Sequence, residues 1–340
     1  MLSLRSSLVS QEASLFPFIL KRLVQAIPTI IGATLIIFFV IQAAPGDFVT
    51  AQQLTPNITA KQLANLRHDF GLDLPVYKQY FIWLWAMLHG NFGLSFSYKQ
   101  DVSAVMWPRI VNSLWLVLLN TVMFYALAIP LGIYGAVHQN SFLDRTFNVI
   151  LYFLLGFPSF FLAILTIFGI VELGYATGIH LPFIGMTSEN YSSMPFFGKV
   201  WDIFKHIWIP AFILALSSIA GFSRYLRALM LEALSSDYIR TARAKGLANR
   251  AVVYKHTLRN AIIPFIANLG AILPSLIAGA GFVEVVFSYP GITPMLLNAL
   301  NTDDLYLSAG FIVVSTFLLI VGNIVGDILL AVVDPRISYS

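Results

Sequence analysis

Between Ser223 and Pro264 the chain carries ten charged side chains, and long apolar runs lie on both sides of that stretch. Eight are basic (Arg224, Arg227, Arg240, Arg243, Lys245, Arg250, Lys255 and Arg259) and two are acidic (Glu232 and Asp237). The flanking runs have about the 20 residues needed to cross roughly 30 Å of hydrocarbon. Such a pattern allows few folds. It reads as a polar hairpin exposed between two membrane spans.

Composition points the same way. Of 340 residues, 58% are hydrophobic and 11% charged, whereas about 25% charged is usual for a soluble domain. The chain reads as an all-α polytopic membrane protein. It has no cysteine, which leaves no disulfide framework and no cysteine-ligated metal. The six histidines are scattered without ligand spacing, so no metal site is expected. The net charge of +4 does not imply nucleic acid, because the cations cluster at helix ends, where topology requires them. The first apolar run has no small-residue cleavage site after it and reads as a retained signal-anchor.

The spacing predicts six spans. Residues 1–17 read as an irregular cytoplasmic lead-in. Lys21 and Arg22 precede the first span, which Pro45-Gly46-Asp47 stops. The first unit of the chain, 18–110, continues as an extracytoplasmic segment with a helix start at Asn57 and a stop at Gly71. An aromatic amphipathic stretch, 75–89, is too short to span and suits the interface. The remaining spans are predicted at 111–137, 148–173, 207–226, 262–281 and 305–333. The loops between them cover 138–145, 174–204, the charged hairpin and 282–304. Residues 111–333 form the core, and Asp334-Pro335-Arg336 opens a cytoplasmic tail, 334–340.

Six spans put both termini on one side. Thirteen of the 20 Lys and Arg residues fall on the side of the hairpin and seven on the other. Cations in short loops mark the cytoplasmic face, so both termini are predicted cytoplasmic. Within the hairpin, Ser235 or Ser236 can cap a helix whose positive first turn holds Asp237. Gly246 stands where a left-handed residue closes it, giving about ten residues over 236–246, with Asn249 placed to cap the next helix. Tyr238, Ala242 and Leu247 read as its apolar side and Arg240, Arg243 and Lys245 as its charged side. A charge run is ordinarily a solvated face that only fixes topology. The alternative is a helix that enters a groove on a cytoplasmic partner.

DYIRTARAKGL (237–247) followed by HTLRNAIIP (256–264) resembles the cytoplasmic coupling motif of ABC-transporter permeases. Arg240-Thr241-Ala242 occupy the positions of the general Glu-Ala-Ala, Gly246 is the motif glycine, and Leu258-Arg259 replace Leu-Pro. These departures match the dipeptide/oligopeptide/nickel importer branch. KRLVQAIPTIIG (21–32), AAPGD (43–47), the segment 69–96, GFVEVVFSYPGI (281–292) and DPRISY (334–339) also look like that family. APGD and SRYLRALMLE (223–232) look most like its oligopeptide-type first permease.

The resemblance implies a type I ABC importer permease fold in a bacterial or archaeal cytoplasmic membrane. It implies a second homologous permease, two cytoplasmic ATPases that bind ATP and Mg, and an extracytoplasmic substrate-binding protein, with no cofactor or catalytic residue in this chain. The sole Gly-Lys pair, Gly198-Lys199, lacks the rest of a phosphate-binding loop. The residues implied to couple to the ATPases are Tyr238, Ile239, Arg240, Thr241, Ala242, Arg243, Lys245 and Gly246. Candidate pathway residues are Asn268 and Ser275 in the small-residue fifth span and Asp327, an acid inside the sixth. Asp327 also reads as a buried structural group. Glu172 and Glu284 read as interfacial. Peptides are the expected cargo; nickel, haem, glutathione and sugar oligomers are alternatives within the family. An ion-gradient transporter is the alternative of another class. Such proteins show inverted repeats and broken helices, and no internal repeat is visible. A membrane-embedded enzyme has no catalytic constellation to support it.

Overall fold

The computed structural model describes residues 2–43, the single positions 61, 64, 68 and 269, residues 73–267 and residues 280–333. Helices dominate. Leu20–Ala43, Val102–Val137, Ser159–Thr177, Phe196–Ser235 and Leu305–Leu330 are each long and apolar enough to cross a membrane. These are five candidate spans among the described residues. The predicted fifth span, 262–281, lies largely outside them, as do the helix start at Asn57 and the stop at Gly71.

The chain divides into two units, Met1–Pro108 with Met295–Ile320 and Arg109–Pro294 with Val321–Ser340. In the first unit, helix α1 (Leu2–Ala43) is continuous, so the lead-in expected to be irregular is helical from Leu2. Residues 2–16 contain neither glycine nor proline to interrupt it. Helix α2 (Val76–Leu88) is the aromatic stretch. It packs on α1 through Tyr80, which lies edge-on to Phe38 at 5.4 Å and hydrogen-bonds the Thr34 hydroxyl at 3.0 Å. Tyr77, Phe81 and Trp85 are exposed on α2, as befits an interfacial helix.

A two-stranded antiparallel hairpin follows, β1 (Leu94–Ser95) with β2 (Gln100–Asp101). The buried Asp304 holds it. One carboxylate oxygen accepts from the Ser95 hydroxyl at 2.5 Å, the Ser97 hydroxyl at 2.8 Å and the Ser97 amide at 3.0 Å. The other oxygen accepts from the Leu307 amide at 3.1 Å and so caps the final helix.

In the second unit, helix α3 (Val102–Val137, from Arg109 onward) packs with α4 (Phe142–Leu155) and α6 (Phe196–Ser235), and α5 (Ser159–Thr177) packs on α6. The predicted third span, 148–173, is therefore broken. Pro158 has an extended backbone and stands as the N-cap of α5. A residue before proline avoids the helical region, so the helix ends ahead of it. The 14 residues of α4 rise about 21 Å, too short to cross, whereas the 19 of α5 rise about 28 Å.

The fourth span also differs from expectation, because α6 runs for 40 residues and carries Pro210 inside it. The unit's main core gathers Ala128, Ile133, Leu151, Ala220, Phe222, Leu226 and Phe265. Small residues bring α3 close to α6: a Cβ on Gly135 would lie 2.9 Å from both the Arg227 side chain and the Asp144 carboxylate.

Candidate functional site

Helix α6 ends at Ser235, and one extended residue, Ser236, separates it from α7 (Asp237–Ala244). The helix is two residues shorter than the ten expected. Ser236 occupies the cap position, but its hydroxyl donates back to the Ala233 carbonyl at 2.5 Å instead of capping. Asp237 lies in the first turn and Arg243 in the last, each matched to the helix dipole.

The C-terminal end closes by two reverse hydrogen bonds. The Leu247 amide donates to Ala242 O at 3.3 Å and the Gly246 amide to Arg243 O at 2.9 Å. This is the Schellman pattern. It needs a left-handed residue between them, and Gly246 has φ +74°.

Burial separates the residues of this segment sharply. Ile239 (0% exposed) and Ala242 (8%) face inward. Asp237, Tyr238, Arg240, Thr241, Arg243, Lys245 and Gly246 are exposed. The expected apolar side of Tyr238, Ala242 and Leu247 is thus wrong in two of three members: Ile239 takes the inward place, and Tyr238 and Leu247 are open to solvent. Ile239 and Ala242, three apart, share the buried face, but Tyr238 is also one turn from Ala242, so spacing alone does not choose between them.

The return limb is helical from Asn249, so Ala248, not Asn249, occupies the cap position. A π-helical stretch, Val252–Thr257, follows. Its Thr257 hydroxyl donates to Val252 O at 3.0 Å. Val252, Val253 and Thr257 are buried, while Arg250, Tyr254, Lys255 and Arg259 are exposed. Asn260 donates to the Tyr238 hydroxyl at 3.3 Å and joins the two limbs. The outcome is one exposed surface of arginine, lysine and aromatic groups on a seat of buried aliphatic ones. The one ion pair shown within α7, Arg240–Asp237 at 3.6 Å, is fully solvated and adds little.

Two of the eight cations do not belong to that surface. Arg227 lies in α6 and pairs with the buried Asp144 at 2.9 Å, and its Nε donates to Gly135 O at 3.1 Å. Asp144 also accepts from the Asn140 amide and the Asn148 side chain. One carboxylate therefore ties α4, α6 and the turn that follows α3. Arg224 stacks on Tyr152, its guanidinium 3.9 Å from the ring centroid.

Glu284, expected at the interface, is fully buried. It accepts from the Ser113 hydroxyl at 2.6 Å and the Thr293 amide at 2.8 Å. Around it the Ile292 amide donates to Ser113 and the Asn112 side chain to Pro290 O. Tyr289 donates to Asn112 O at 2.7 Å. Burial, and then the charge of Glu284, hold that hydroxyl well above its ordinary pKa, so it remains a donor. The region 282–304, expected to be a loop, contains helices Phe282–Val286 and Ile292–Asn301. The sequence gives no local signal for the pairings made by Asn112 and Ser113, whose partners lie 171 to 179 residues away.

Asn268 and Ser275 lie outside the described residues. Asp327 is half-buried in the last helix, one turn after an exposed Asn323. Glu172 is exposed.

Comparison with known proteins covers most of the chain. The family described as "Binding-protein-dependent transport system inner membrane component" matches residues 128–339, and its N-terminal companion matches 15–117. The chain is 35% identical over 324 residues to the oligopeptide transport system permease protein AppB of Bacillus subtilis, covering 95% of this chain and 99% of that one. It is 32% identical over 338 residues to the dipeptide transport system permease protein DppB of Escherichia coli K12, covering 95% and 98%. The oligopeptide transport system permease protein OppB of Mycobacterium tuberculosis is 31% identical over 328 residues, covering 95% and 99%.

Proposed function

The chain belongs to the family of binding-protein-dependent transport system inner membrane components, and from that premise we propose that it is a permease subunit forming half of the pathway of an ATP-driven peptide importer. The observation that carries this reading is similarity to oligopeptide and dipeptide permeases along 95% of the chain. A second, similar permease completes the pathway. An extracytoplasmic binding protein delivers the peptide, and two cytoplasmic ATPases hold the ATP and Mg. Both termini and the 223–264 hairpin face those ATPases. The inner side holds thirteen cations against seven, which supports this orientation.

In this reading α7 is the coupling helix. Tyr238, Arg240, Thr241, Arg243 and Lys245 meet a groove on the ATPase. Ile239 and Ala242 seat the helix, and Gly246 turns the chain back. Only Ser236 separates α7 from α6, so a displacement of α7 is passed to a span with almost no slack. Rocking α6 and its neighbours opens the pathway to alternate sides. Asn268, Ser275 and Asp327 are proposed as polar positions of the pathway. Uptake by Asp327→Asn, measured beside complex assembly, separates a pathway role from a structural one.

The test is uptake of labelled di- and oligopeptides by proteoliposomes holding the whole complex. Uptake should require ATP and the binding protein. Accumulation by this chain alone, or uptake that collapses with an uncoupler while ATP stays high, defeats the proposal in favour of ion-driven transport.

A further inference from the structure

An open cleft of about 480 Å³ lies between α4 and α6, lined by Asn148, Tyr152, Arg224, Tyr225 and Arg227 among others. Its charge is unbalanced. Arg227 is neutralised by Asp144, and Asn148 is turned to the same carboxylate at 2.9 Å. Arg224 forms no ion pair among the described residues and is held by its stacking on Tyr152. Stacking fixes a guanidinium by its face and leaves its five edge donors free. A preoriented, half-buried cation in a cleft is a site for an oxyanion.

The position of the cleft selects which oxyanion. Residues 206–223 of α6 contain no Asp, Glu, Lys or Arg, an uncharged length of about 27 Å that matches a hydrocarbon core. Lys205 bounds it at one end, its ammonium 5.8 Å from the Trp201 ring centroid. Arg224 is the first charge at the other end, and so stands at headgroup depth. Beside the cleft, α4 turns Val149 (69% exposed) and Phe153 (64%) outward. A soluble anion gives those side chains no cover; acyl chains do.

We propose that this cleft binds the phosphate of an anionic phospholipid, with its chains along Val149 and Phe153. Basic pockets between spans on the cytoplasmic side are suited to such headgroups. The bound lipid braces α4 against α6, the helix that leads directly into α7.

Native mass spectrometry of the full-length chain in detergent tests the assignment. It is titrated with dioleoyl phosphatidylglycerol, dioleoyl phosphatidylcholine and glycerol 3-phosphate, and challenged with dialanine. Phosphatidylglycerol is expected to bind best. Arg224→Gln should weaken it about tenfold, the loss of one charge-assisted contact, and Arg224→Lys should restore part of it. Tyr152→Leu, which keeps Arg224 but removes its stacking partner, should weaken it less than Arg224→Gln. Thermal unfolding confirms that each variant is folded. Equal phosphatidylglycerol affinity in wild type and Arg224→Gln overturns the site. Glycerol 3-phosphate or dialanine displacing the lipid in an Arg224-dependent way overturns the lipid assignment, because the cleft then serves a soluble anion.

Discussion

The Glu284 knot and the α7 hairpin lie in the same structural unit and are both rich in polar groups, yet they treat those groups oppositely. Around Glu284 the donors of Ser113 and Thr293 and the hydroxyl of Tyr289 find acceptors inside the protein. On α7 and at its C-cap the side chains of Arg240, Arg243 and Lys245 are open to water. Burying a polar group stabilises only when it is satisfied. An exposed cation costs nothing to leave unpaired and remains free to bind. The first region therefore holds the fold, and the second is available to a partner. Substitutions should separate the two, with stability falling most in the satisfied interior and least on the hairpin.

The largest loss of stability is expected where one member of a buried pair is removed. Arg227→Met leaves Asp144, which is 4% exposed, without its counter-charge. The cost should be about 3 kcal/mol, the size typical of orphaned buried charges. It is read as a lowered midpoint of thermal unfolding in detergent. Combining it with Asp144→Leu should recover much of the loss, because no charge is then stranded. A double variant as unstable as the sum of the singles would show that the pair is not the cause.

Glu284→Gln comes next. Glu284 accepts on both oxygens, and an amide supplies only one acceptor. Its NH2 group then either faces the Thr293 amide N–H or donates to the Ser113 oxygen, whose hydroxyl hydrogen loses its acceptor. About 1 to 3 kcal/mol is expected, by the same unfolding measurement. Ser113→Ala should cost a similar amount, since it strands the Ile292 amide. An unchanged midpoint in both would remove the knot from the interior frame.

These interior pairs also mark where the sequence could be read and where it could not. The apolar runs announce the five spans seen among the described residues, because a length near 20 residues is a local property. Gly246 is legible for the same reason: a glycine after a basic helical turn points to a left-handed close. Arg227 and Asp144 are 83 positions apart, and Ser113 and Glu284 are 171 apart. No local pattern distinguishes Arg227 from the hairpin cations beside it, or Glu284 from an interfacial acid. Pro158 lies within an apolar run that continues on both sides of it, so hydropathy alone does not mark the break. Tyr238 and Ile239 both stand one turn before Ala242, so spacing alone does not say which of them is seated; the burial of Ile239 does.

On the hairpin the effects turn from stability to function. Gly246→Val forces a β-branched residue to φ near +74°, at roughly 1 to 2 kcal/mol. Gly246→Asn, which tolerates that conformation, should cost less. If α7 is the coupling helix, Gly246→Val should abolish or uncouple ATP-driven peptide uptake well beyond what its small instability explains. Uptake at the wild-type level would count against docking at this turn.

The smallest structural effect and the sharpest contrast belong to Arg240. Its side chain is 76% exposed, and its contact with Asp237 is solvated, so Arg240→Ala should shift stability by less than about 0.5 kcal/mol. Paired with Arg243→Ala, it should leave the unfolding midpoint in place while reducing co-purification of the ATPases and peptide uptake. Raised salt should weaken the wild-type association and affect the variant less, because the attraction removed is a screened surface one. Should the double variant keep full uptake and the same salt response, the cations of α7 serve topology alone, and the seated pair Ile239 and Ala242 becomes the part of the helix that matters.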